Sequence, residues 1–231
     1  MKIRQIHSWD VDTKTARALQ EELASRVVTN QPLKTWKTLA AADVSWNRHG
    51  KDLFAGVIVV DAETLTPIES VRVQLPVTFP YVPGLLSFRE IPPLLKAFEQ
   101  LKTRPDVVLC DGQGIAHPRR IGLASHLGLW LDMPTIGCAK SLLVGEYADL
   151  GPNRGDRAPL IDREDVVGAA LRTRARVKPL FVSVGNGCDL DSAVAVVLST
   201  IRRYRHPLPA RLAHDYVNEL RRSATKKAPQ E

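Results

Sequence analysis

Three short runs of the chain constrain its architecture more than any other feature. TLAAADVSW (38–46), LFAGVIVVD (53–61) and PIESVRVQ (67–74) are rich in β-branched and aliphatic residues, and each is shorter than an ordinary helix. Turn chemistry separates them, Asn47–Gly50 in the first gap and Asp61–Thr66 in the second. Gaps this tight leave no room for the crossover of roughly a dozen residues that parallel pairing needs. The three runs must therefore pair in order as an antiparallel meander, and one face of it must be covered.

The remaining segments supply helices and further strands. Residues 12–28 predict a helix, capped by Asp12 or Thr13, with Ala16, Leu19, Leu23 and Val27 along one face. Phe88, Ile91, Leu95, Phe98 and Leu101 follow helical spacing, with Pro92 and Pro93 expected near that helix's first turn, where proline is tolerated. DVVLC (106–110) is a continuous apolar run, the pattern of a strand buried on both faces, and it ends at Asp111. A glycine-rich segment leads into a helix around 119–130. MPTIGCAKS (133–141) holds another strand, with Lys140 just past its end, and residues 145–164 read as polar loop. VVGAALRT (166–173) and PLFVSVG (179–185) predict strands. DLDSAVAVVLSTIRRY (189–204) and PARLAHDYVNELRR (209–222) predict helices, and the tail SATKKAPQE is expected to fray. A meander followed by strand–helix alternation predicts a mixed α/β sheet flanked by helices, in the order of the ribonuclease H-like fold. No linker divides it, so one domain is expected over residues 1–231.

The chain carries 32 Lys and Arg against 25 Asp and Glu, a net charge of +7. That balance favours a polyanionic partner such as nucleic acid, although many basic proteins bind none. Cys110, Cys138 and Cys188 are odd in number and far apart, which fits neither a disulfide framework nor a zinc site and points to a reducing compartment. The N-terminal MKIRQIHSWD lacks the apolar core of a signal peptide, and no run approaches the roughly 18 apolar residues of a membrane span. A soluble, cytoplasmic protein without a membrane partner is expected.

Several polar residues stand where chemistry collects. Asp43 lies inside an apolar strand, where an unpaired charge is costly. Alone, it reads more readily as half of an ion pair than as a metal ligand. Asp111 sits at the carboxyl end of a buried strand, where α/β sheets gather ligands, with His117, Arg119 and Arg120 close behind. The DGQG glycines are explained equally by a tight turn and by close approach of a ligand to the backbone. Glu90 adds a third carboxylate, and two or three carboxylates from separate elements suit a hard divalent cation. Lys140 reads either as a solvated lysine or as a group that neutralises a phosphate. His214, beside the apolar stripe of the last helix, reads by itself as a surface or core-edge histidine; His49, His126 and His206 acquire no role.

Taken together, PYVPGLLSFRE (80–90), DGQGIAHPRRIGLASHLGL (111–129), GCAKS (137–141), RLAH (211–214) and the early DVS (43–45) resemble the endonuclease V family of DNA repair. The resemblance runs from about residue 10 to 222, with Val82 where isoleucine is familiar. It implies a Mg²⁺-dependent enzyme, with Mn²⁺ as substitute, acting on double-stranded DNA that contains deoxyinosine. Such an enzyme nicks the second phosphodiester bond 3′ to the deaminated base and leaves a 5′-phosphate and a 3′-hydroxyl. The resemblance places Asp43, Glu90 and Asp111 at the metal and adds Lys140 and His214 to the catalytic set. It makes Pro80, Tyr81, Val82 and Pro83 a wedge between the strands. Gly84, Leu85, Gly112, Gly114, His117, Gly122 and Leu123 fall where the family builds its pocket for the flipped base. It also implies a monomer, and leaves single-stranded DNA and inosine-containing RNA open as partners. Phosphate contacts are expected among Arg89, Arg119, Arg120, Arg202, Arg203 and Arg205. The alternatives are a ribonuclease H-like nuclease acting on RNA or branched nucleic acid, and a lesion-binding module without catalysis.

Overall fold

The three meander runs form β1 (Thr38–Trp46), β2 (Asp52–Asp61) and β3 (Pro67–Pro76), paired antiparallel in chain order. The structure is a computed structural model and describes residues 1–48 and 50–227. His49 and residues 228–231 lie outside the described residues. β4 (Val107–Cys110) and β5 (Thr135–Ala139) continue the sheet in parallel, and β6 (Arg157–Asp162), β7 (Asp165–Leu171) and β8 (Leu180–Asn186) complete it antiparallel. The strand order is β3-β2-β1-β4-β5-β8-β7-β6.

Alternation along the central strands divides the core into two layers. Leu39, Ala41, Leu109 and Ile136 face α4 (Leu190–Thr200) and α5 (Leu208–Lys227). Ala40, Ala42, Val108 and Cys110 face α2 (Leu86–Gln100) and α3 (Leu123–Leu131). α1 (Thr13–Ala24) is capped by Asp12, whose carboxylate accepts from the Thr15 amide at 2.7 Å. Among the described residues no helix is long and apolar enough to cross a membrane.

Four local expectations need correction. Pro92 and Pro93 are the seventh and eighth residues of α2, not part of its first turn. The helix starts early because Gly84, at φ +78°, turns the chain directly into it. The prolines withdraw the donors that the Phe88 and Arg89 carbonyls would otherwise receive. Residues 145–164 contain β6, an edge strand in which only Ala158 and Leu160 are buried, so its polar residues face outward. α4 ends at Thr200, leaving Arg202 and Arg203 beyond it. α5 continues to Lys227 through most of the segment expected to fray.

Candidate active site

Strand register builds the centre of the site. β1 and β4 pair from Leu39–Val107 to Ala42–Cys110, so the next residues on the two strands are Asp43 and Asp111. Both continue the parity of Ala41 and Leu109 and turn toward the α5 layer. Opposite Asp43, β2 carries Gly56, where an added Cβ would stand 3.2 Å from Val217 of α5. The missing side chain lets α5 lie close, and His214 Nδ1 comes 2.8 Å from Asp43 Oδ2. One ligand atom from each of Asp43, Asp111 and His214 lies within 4.8 Å of the others. Lys140, one residue past β5, donates its ammonium to Asp111 Oδ2.

Glu90 enters from the opposite layer, on the second turn of α2, and is almost fully buried. Burial pushes its carboxyl well above the usual range, and the neighbouring Asp43 and Asp111 push it further. Asp43 is raised too, chiefly by burial and then by Asp111, against the opposing bond to His214. With Asp111 beside them raising both Asp43 and Glu90, the acids form a site that a cation would relieve. Carboxylate oxygens suit a hard divalent cation such as Mg²⁺ or Mn²⁺.

Asn218, which the sequence reading passed over, orients the imidazole. Its Nδ2 lies 3.1 Å from His214 Nε2, and its Oδ1 accepts from Ser45 Oγ and from Arg221. With the amide donating to Nε2, His214 carries its proton on Nδ1 and directs it to Asp43. The i,i+4 spacing on one helix was the available signal.

A cavity of about 530 Å³ opens beside the acids. Asp43, Glu90, Asp111, Lys140 and His214 line it, as do Tyr81, Val82, Pro83, Gly84, Gly112, His117, Gly122 and Leu123. Tyr81 is 62% exposed at the mouth, with its ring centroid 6.4 Å from that of Trp46. The Gly84 carbonyl accepts from the Arg119 guanidinium at 2.7 Å and lies 3.1 Å from His117 Nε2. The Arg119 amide donates to His117 Nδ1, which leaves the imidazole proton on Nε2 and aimed at Gly84. Burial, reinforced by Arg119, pushes the His117 pKa down to about 4, so the ring is neutral at physiological pH. Gln20, also absent from the sequence reading, accepts from Arg119 Nε at 2.6 Å and steadies this corner.

Two residues expected in the base pocket do not line the cavity. Leu85 is fully buried against Ala16, Phe79 and Phe88. Gly114 sits where β8 crosses, and a Cβ there would fall 1.9 Å from the Val184 carbonyl oxygen. Gly114→Ala should therefore destabilise the fold by about 3 kcal/mol or more, through forced displacement of the backbone. Thermal unfolding followed by circular dichroism should show a fall in Tm of about 6–12 °C; an unchanged Tm would refute the close approach. Pro80 also stays outside the cavity wall.

Five of the six candidate phosphate contacts make hydrogen bonds within the protein, Arg202 to the Ser199 and Ile201 carbonyls and Arg205 to the Pro179 carbonyl among them. Arg89 is buried and donates to the Phe79 carbonyl at 2.7 Å. Arg119 holds Gly84 and Gln20, and Arg120 pairs with Asp162 at 2.6 Å and Asp165 at 3.2 Å. Arg202 and Arg203 are exposed and Arg205 is half-buried. Of the histidines given no role, His126 is a core residue, its Nε2 2.7 Å from that of His7.

Known proteins resemble this chain along nearly its whole length. The endonuclease V family model matches residues 21–215. Endonuclease V of Myxococcus xanthus is 49% identical over 222 residues, covering 95% of this chain and 94% of that protein. The crystal structure of the Streptomyces avermitilis endonuclease V superposes with a TM-score of 0.90 at 42% identity, covering 97% of this chain and all of that one. That of Ciona intestinalis, in complex with a 24mer DNA containing an inosine followed by a ribo-adenosine, gives 0.82 at 26% identity over 92% of this chain and all of that one. The mixed eight-stranded sheet is thus the ribonuclease H-like fold of these enzymes. By family match, by identity along nearly its whole length and by fold, the chain belongs to the endonuclease V family.

Proposed function

We propose that this protein is a metal-dependent DNA endonuclease that hydrolyses the second phosphodiester bond 3′ to deoxyinosine, leaving a 5′-phosphate and a 3′-hydroxyl. The observation that carries the reading is the convergence of Asp43, Asp111 and His214 within 4.8 Å, with Glu90 buried behind them. Bound there, Mg²⁺ would activate water and offset the charge growing on the phosphoryl oxygens. Asp43 and Asp111 would hold the ion, and His214 fixes the Asp43 carboxylate through its Nδ1 proton. Lys140, tethered to Asp111, brings a cation to the scissile phosphate. Tyr81 stands exposed at the cavity mouth, where it can take the stacking place of an extruded base. Hypoxanthine pairs poorly, so its extrusion costs less than that of a normal base, and the cavity receives it between Gly84, His117 and Leu123.

The test is a labelled duplex with one deoxyinosine, incubated with Mg²⁺ or with EDTA, and the cut mapped to the nucleotide. A Mg²⁺-dependent nick at the second bond supports the reading, and equal nicking of undamaged duplex rejects it. Tyr81→Ala should lower kcat/KM on the lesion by about 5- to 150-fold, the effect of losing one stacking contact of about 1–3 kcal/mol. Its Mn²⁺ affinity, read by calorimetry, should stay unchanged; full activity of the variant would remove the wedge role. A second reading, cleavage of inosine-containing RNA, is favoured by the ribo-adenosine that follows the inosine in the Ciona complex. Inosine RNA in the same assay decides between the two substrates.

A further inference from the structure

A second cavity, of about 360 Å³, adjoins the first and shares Asp111, Lys140 and His214 with it. The rest of its wall comes mainly from residues 204–211, none of which lines the first cavity. Its charge is mainly cationic. Arg205 and Arg211 face it together with Lys140, and of its two acids Asp111 is already bound to Lys140, leaving Asp215. The guanidinium of Arg211 lies 3.4 Å above the ring centroid of Tyr204, and that of Arg203 lies 5.7 Å from the same ring. Tyr204 is nearly half exposed. A guanidinium 3.4 Å from the centroid of an exposed aromatic ring offers N–H donors and, together with the ring, a platform for a nucleobase.

The function proposed above assigns nothing to this cavity, yet the strand path requires a place of its kind. With the lesion base in the first cavity, the bond to be cut lies at the three shared residues. The nucleotide beyond that bond cannot return to the first cavity, and the second opens directly from the same residues. We infer that the second cavity seats the nucleotide on the 5′-phosphate side of the cut, its backbone phosphate held by Arg205 and Arg211 and its base stacked at Tyr204. The inference rests on the endonuclease reading. Stacking and phosphate contacts tolerate any base, so this subsite binds without regard to sequence.

Two experiments test it. In the first, a deoxyinosine duplex carries a tetrahydrofuran abasic residue immediately 3′ to the scissile bond. The wild-type protein should cut it about tenfold more slowly than the intact duplex, the effect of one lost stack. Tyr204→Ala should be slowed on the intact duplex and lose nothing further on the abasic one. Equal loss in wild type and variant, or no loss in wild type, overturns the assignment. The second uses binding alone, by fluorescence anisotropy of a 5′-phosphorylated oligonucleotide against its 5′-hydroxyl counterpart. Wild type should prefer the phosphorylated strand, and Arg211→Ala should erase the preference; a preference kept by Arg211→Ala counts against the subsite. If the protein fails to nick deoxyinosine yet shows the Arg211-dependent preference, the subsite stands and the endonuclease reading falls. If it nicks deoxyinosine and neither variant differs from wild type, the subsite falls alone.

Discussion

Asp111→Asn should reduce Mg²⁺-dependent nicking of a deoxyinosine duplex by about 10³-fold or more, with little change in folding. The size follows from the part played by a metal ligand: several kcal/mol of transition-state stabilisation, of which about 4 kcal/mol is a factor of 10³. Asp111 joins more of the site than any other residue. It contributes to the cluster with Asp43 and His214, binds Lys140, and raises both Asp43 and Glu90. The amide keeps the shape but releases the lysine, removes a charge and weakens the cation site. Single-turnover cleavage and Mn²⁺ titration by calorimetry should fall together. Activity within tenfold of wild type at saturating Mg²⁺ would show that Asp111 holds no essential metal.

Glu90→Gln should separate stability from activity. Glu90 is raised in the folded state, so the contribution of this group to stability is present below its unfolded pKa and is lost as pH rises through the folded value. At neutral pH the unfolded chain's glutamate is ionised, so the metal-free fold is opposed by the cost of burying this group beside Asp43 and Asp111, whether it keeps its charge or takes up a proton. The amide removes that opposition. Metal-free Glu90→Gln should be more stable than wild type by about 1–3 kcal/mol at neutral pH, and the difference should shrink on acidification below the carboxylate range. Its Mg²⁺-dependent cleavage should drop by at least about 10²-fold. Denaturant titrations with EDTA at several pH values measure the first effect. A metal-free variant less stable than wild type at neutral pH would mean that Glu90 already has a compensating partner.

Much of the fold was legible because its signals are local. The meander announced itself through short β-patterned runs and turn residues, and DVVLC through its unbroken apolar character. β6 was missed because RAPLID buries only Ala158 and Leu160, and its Pro159 is tolerated at the sheet edge without a full strand pattern. The five polar residues expected at the site all line one cavity. Their identity was readable from motifs, but their geometry was not. That Asp43 and Asp111 are neighbours depends on the β1–β4 register, and pairing across 68 positions leaves no local trace. Leu85 and Gly114 show the converse, since proximity to a motif does not decide which way a residue faces. Asn218 was reachable from sequence by its spacing from His214, whereas the Gln20–Arg119–Gly84 contacts join three distant segments and were not.

The register that places Asp43 beside Asp111 bears on how the molecule assembles. Side chains alternate between the faces of a strand, so a slip of one residue between β1 and β4 would send the two carboxylates to opposite faces. Neither the slipped pairing nor an unfolded chain presents both acids to a common ion. A cation bound by this pair stabilises only the correctly aligned chain, by RT ln(1 + [L]/Kd). The site thereby acts as a parity check on strand pairing, because a misaligned chain lacks the cluster.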